Sequence, residues 1–180
     1  MLRKQLAFVV AALASTFVFA DSTFKPVFVS TGDLEQMMQV RTEADLKIFD
    51  CTVADGALEN FHQSHIPGAS FIDLNYFRNM SSKYPFMLPG AQQFSDYMKL
   101  YGIKKSTRVI LYDNGNNYYA TRVYWMLRTY GHENASVLDG GFKLWNAQSR
   151  RTESSLGFSS GSSQSDFDYA FKPELYRFFE

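Results

Sequence analysis

Tyr112-Asp113-Asn114-Gly115-Asn116-Asn117-Tyr118-Tyr119-Ala120-Thr121-Arg122-Val123-Tyr124-Trp125-Met126-Leu127 is the stretch on which the reading of this chain turns. It closes an apolar run, passes through a Gly/Asn loop and enters a segment with helical spacing. Tyr119, Val123, Met126, Leu127 and Tyr130 fall on one side of that helix, and Gly131 stands where a C-terminal cap belongs. Strand, loop and helix in this order make half of a βα unit. In such units the loop N–H groups converge with the helix N-terminus, where anions and nucleophiles are held.

Working outward, short apolar runs at 47–50, 70–73, 108–112 and 136–138, with a weaker one at 27–30, read as buried strands. None alternates cleanly, as suits strands covered on both faces. Between them lie helical patterns. Residues 31–43 place Leu34, Met37, Met38 and Arg41 on one face, and Phe94, Tyr97, Met98 and Tyr101 follow the i, i+3, i+4, i+7 rule before Gly102. Alternating strands and helices predict an α/β domain over 24–148, with a mostly parallel sheet of about five strands and helices on both faces.

Composition narrows the function classes. The 180 residues carry 18 basic and 18 acidic side chains, so no basic excess points to nucleic acid. Aromatics make up 17% of the chain and are spread along it, as core residues are. One cysteine, Cys51, excludes an intrachain disulfide and a multi-cysteine metal site. There is no Walker loop, dinucleotide fingerprint or Gly-x-Ser-x-Gly elbow, and no cofactor is expected.

The ends read differently from the middle. Arg3 and Lys4 precede an apolar run and small residues up to Ala20, the layout of a secretory signal peptide over 1–20. A mitochondrial presequence is the alternative, since the segment lacks acids and carries Ser15 and Thr16. After cleavage no stable membrane span is expected. Secretion would make Asn79-Met80-Ser81 and Asn134-Ala135-Ser136 glycosylation acceptors. Residues 149–166 have the Ser/Gly-rich composition of a linker, and 167–180 read as a tail or the start of a second domain.

Several segments, in order, resemble the rhodanese superfamily. They are His65-Ile66-Pro67-Gly68-Ala69, Met87-Leu88-Pro89-Gly90, Tyr112-Asp113, the run 119–128, Gly131-His132 and the run 136–145. The match is to the N-terminal, cysteine-less domain of tandem thiosulfate and 3-mercaptopyruvate sulfurtransferases. The resemblance implies the three-layer rhodanese fold and a loop that, in catalytic members, opens on a cysteine carrying sulfur as a persulfide. Here Asp113 stands in that place, and a carboxylate cannot accept sulfane sulfur. The chain alone is therefore expected to be inactive, with a second rhodanese domain, in cis or in trans, binding the small sulfur donor. A free-standing, non-catalytic binding module is the alternative.

Three residues remain as supporting candidates. The resemblance assigns His65 a supporting acid–base role near the interdomain cleft, and Asp55 is a candidate orienting partner for it; hydrogen bonding to backbone at the turn is the structural alternative. Cys51 ends a strand but lacks a glycine cradle, and Asp50 and Asp55 would raise its thiol pKa. It reads more readily as a core residue. Arg122 is expected to make a structural ion pair with Asp113 or Asp73, and Asp139 to cap the last helix.

Overall fold

Five short strands form one all-parallel sheet in the order β1-β5-β4-β2-β3. They are β1 (Phe28–Val29), β2 (Leu46–Asp50), β3 (Ala69–Phe71), β4 (Arg108–Tyr112) and β5 (Ala135–Leu138). The helices are α1 (Thr31–Val40), α2 (Ala57–Gln63), α3 (Ala91–Leu100), α4 (Tyr118–Thr129) and α5 (Gly141–Ala147). The structure, a computed structural model, describes residues 26–41, 45–84 and 86–154. The expected signal peptide at 1–20, the tail at 167–180 and the linker beyond 154 lie outside the described residues.

The absence of alternation in the strands has a direct cause. Every residue of β4 and β5 is buried, because helices cover both faces. Phe49, Val109, Leu111 and Val137 pack with α3 and α4 through Phe94, Met98, Val123, Met126 and Leu127. Ile48, Ile110, Tyr112 and Leu138 pack on the other face with Leu34 of α1, Phe61 of α2 and Trp145 of α5. The result is three layers with two cores. Each such large apolar side chain contributes roughly 1.5–3 kcal/mol on burial. No helix among the described residues is long and apolar enough to cross a membrane.

Some expected boundaries shift. Strand β3 ends at Phe71, not 73, although the Ile72 N–H still reaches the Asp50 carbonyl at 2.8 Å. Helix α1 stops at Val40, where Arg41 turns to extended backbone, and not at 43. Of the Asn134-Ala135-Ser136 acceptor pattern, Ala135 and Ser136 lie in β5 and Asn134 in the bend just before it; Ser136 is wholly buried and its hydroxyl donates to the Pro26 carbonyl. Residues 149–154 fold back on the domain: Glu153 pairs antiparallel with His65.

Asp139 is exposed and does not cap α5. The helix begins at Gly140 in the left-handed region (φ 71°), followed by Gly141 at φ 55°. At Gly141 the reason is close packing as well as φ. A Cβ there would fall on the Asp113 carbonyl oxygen and within 2.9 Å of the Gly115 nitrogen. The start of α5 is thus pressed against the loop after β4, and the Phe142 N–H donates to the Asp113 carbonyl at 2.8 Å. Gly141→Ala is expected to destabilise the domain by about 2–4 kcal/mol, the sum of backbone strain and a backbone clash. Urea unfolding measures it, and a loss below about 0.5 kcal/mol would show that the contact relaxes freely.

Candidate functional site

The loop after β4 lies at the carboxyl end of the central strand, the usual place for ligands in an open parallel sheet. Asn117 precedes α4 in the left-handed conformation (φ 60°) and makes no side-chain cap. The cap comes from Asp113, whose Oδ2 accepts from the N–H groups of Tyr119 at 3.0 Å and Ala120 at 3.3 Å. Its Oδ1 accepts from Gly115 and Asn117, each at 2.9 Å. Both carboxylate oxygens are thus held by backbone amides, and the residue is 1% exposed. Charge-assisted bonds of this kind are worth about twice neutral ones, and the positive end of α4 adds to them. An external anion would need these same N–H groups. Asp113 already occupies the cradle.

Its neighbours are acids or very weak acids. Asp50 Oδ1 accepts from the Thr52 N–H at 2.9 Å and the Thr52 hydroxyl at 2.6 Å, yet burial pushes this carboxyl above the usual carboxylate range. The Tyr112 hydroxyl is buried near Asp50, short of good hydrogen-bond geometry. Burial first, then the Asp50 charge, drives the phenol well above its ordinary value.

Cys51 is wholly buried among Phe49, Ile72 and Leu111. Its thiol lies 3.8 Å from the Phe49 carbonyl, and its own N–H donates to the Tyr112 carbonyl at 2.8 Å. Burial raises the thiol pKa well above normal, and the charges of Asp50 and Asp113 raise it further. A reactive cysteine needs the opposite surroundings.

His65 and Asp55 are not brought together. Asp55 is exposed in the turn before α2. The carboxylate that meets His65 is Glu153, with Oε1 3.5 Å from Nε2. The His65 ring is 1% exposed, stacks on Phe61 at 4.0 Å between centroids, and places Nδ1 2.6 Å from the Phe61 carbonyl. Glu153 Oε1 also accepts from the Gly68 N–H at 2.6 Å. His65 therefore ties the chain after α5 to the turn before β3, and Asp55 is corrected to Glu153 as its partner. Sequence reasoning missed Glu153 because the contact spans most of the domain and no local pattern marks it. His132, just past the end of α4, is wholly buried. Arg122 donates to the Phe86 carbonyl and lies 4.7 Å over the Trp125 ring.

With its thiol buried and its pKa raised, Cys51 is expected to react with a disulfide reagent at pH 8 at least about a hundredfold more slowly than free cysteine, and to react fully once unfolded. Stoichiometric labelling of the native chain within minutes would contradict this placement.

Known proteins carry the same architecture. The family model for the rhodanese-like domain matches residues 30–148. The 3-mercaptopyruvate sulfurtransferase of Rattus norvegicus is 34% identical over 154 residues, covering 82% of this chain and 50% of the relative. The thiosulfate sulfurtransferase of Gallus gallus is 40% identical over 111 residues, covering 58% and 38%. Among solved structures, SseA from Escherichia coli, a 3-mercaptopyruvate enzyme of the rhodanese fold, superposes with a TM-score of 0.71 at 31% identity, over 83% of this chain and 57% of that one. The chain spans about half the length of the curated relatives it matches. Five parallel strands between two helical layers, a loop of converging amides after β4 and a family match over most of the domain agree: the chain belongs to the rhodanese family, and its relatives are sulfurtransferases.

Proposed function

We propose that this chain is the non-catalytic rhodanese half of a sulfurtransferase, whose persulfide-forming cysteine sits on a second rhodanese domain joined in cis or supplied in trans. The observation that carries the reading is the Asp113 carboxylate, bonded through both oxygens to four loop amides. In a sulfur-transferring loop those amides stabilise a thiolate and the anionic donor. Here a permanent internal anion takes their place. It offers no sulfur nucleophile and repels thiosulfate or 3-mercaptopyruvate.

Transfer then belongs to the partner domain. Its thiolate attacks the sulfane sulfur of thiosulfate, breaking the S–S bond and releasing sulfite, or the thiol sulfur of 3-mercaptopyruvate, breaking the C–S bond so that the enolate leaves and takes up the thiol proton as pyruvate. Either way a persulfide forms. A thiol or cyanide removes the outer sulfur and restores the thiolate. This half contributes a rigid wall. The same locked loop also fits a free-standing binding module, and a native product about twice this length would favour the tandem enzyme.

The experiment is an intact-mass measurement after incubation with thiosulfate, and separately with 3-mercaptopyruvate. The wild-type chain and Cys51→Ser are both expected to keep their masses. A product heavier by one sulfur, absent in Cys51→Ser, would show that Cys51 carries persulfide and would overturn the proposal.

A further inference from the structure

A cavity of about 610 Å³ runs between α1 and the edge strand β1, with its Arg41 and Arg108 end at the end of the sheet opposite Asp113. Its walls are apolar along Val29, Met37 and Val40, with Gln36 at the side and two arginines, Arg41 and Arg108, at one end. Arg108 opens β4 and is 6% exposed. Its guanidinium donates to the Ser136 hydroxyl at 2.7 Å and to the Asn134 side-chain oxygen at 3.4 Å. Ser136 in turn donates to the Pro26 carbonyl. All these partners are neutral. Among the described residues no carboxylate pairs with Arg108, and its charged neighbour is Arg41, the capping residue of α1. Burial and that second guanidinium lower its pKa. A buried cation left this way is costly, and an anion supplied from outside would relieve it.

The geometry points to a binding site for an amphipathic organic monoanion, a carboxylate with an unbranched apolar tail, its head between Arg108 and Arg41 and its tail along Met37 and Val29. A cavity of this size suits a small organic ligand better than an inorganic ion. Polarity along α1 sets the direction. Asp33, at the far end of the cavity, is fixed by Ser30, whose N–H and hydroxyl both donate to it. It lies two turns, about 12 Å, from Arg41, so it repels a second charge there and leaves room for a chain of about ten carbons. No step of the proposed sulfur chemistry uses this site.

Titration calorimetry of the full chain with sodium decanoate, and with decan-1-ol as the neutral control, tests it. Arg108→Met removes the buried head-group contact but is a core change. Arg41→Gln and Val40→Glu are the variants that spare the fold, since both side chains are exposed. Decanoate is expected to bind once per chain and at least about tenfold more tightly than decanol. Arg41→Gln should weaken it about fivefold, and Val40→Glu by a similar factor through like-charge repulsion. Absence of saturable binding would overturn the site and mean that Arg108 finds its counter-charge within the chain. Equal affinity for decanol, or decanoate binding unchanged in both exposed-site variants, would overturn it as well.

Discussion

The bond set of the Asp113 carboxylate holds the functional end of this molecule in one state. A parallel sheet delivers loop N–H groups to the carboxyl end of its central strand whatever the loop's sequence, and those donors must be satisfied. In this chain four of them close on one buried side chain. The same residue caps α4, which its own N-cap position does not. Through its carbonyl it also receives the first turn of α5, where Gly141 permits the approach. Three elements meet at one residue: β4 leads into it, α4 is capped by its carboxylate and α5 rests on its carbonyl.

The proposed division of labour rests on the electrostatics of that arrangement. Sulfur transfer needs a thiolate in an electropositive pocket, whereas the carboxyl end of β2 and β4 gathers Asp50, Tyr112, Asp113 and a deeply buried Cys51. The Asp50 and Asp113 carboxylates raise the cost of a further negative charge nearby, as the raised pKa of the Cys51 thiol reflects. The fold keeps the architecture of an anion site and fills it from within. Net positive charge appears instead at the other end of the sheet, where Arg41 and Arg108 stand together over an apolar cavity.

Much of this was legible in the sequence because it is local. The strand 108–112, the helical face of Val123, Met126 and Leu127, and the stop at Gly131 follow from periodicity and punctuation, and the structure places them there. That Asp113 opens the loop after β4 was readable from the ordered motifs. The role Asp113 then takes was not, because a cap normally comes from the residue next to the helix, and this one reaches across the loop. Asp55 was the expected partner of His65, whereas Glu153 arrives through the return of residues 149–154. Asp139 looked like a cap by residue type, but the turn demanded glycines and left it exposed. Contacts set by the meeting of distant elements leave no mark on local pattern.

Amide hydrogen exchange, resolved by residue, tests the central claim most directly. If the Asp113 carboxylate holds the loop, the amides of Gly115, Asn117, Tyr119 and Ala120 exchange slowly in the wild-type chain. In Asp113→Ala they should lose protection together while β4 and β5 keep theirs. Fast exchange of the four in the wild type, or unchanged protection in Asp113→Ala, would contradict the account.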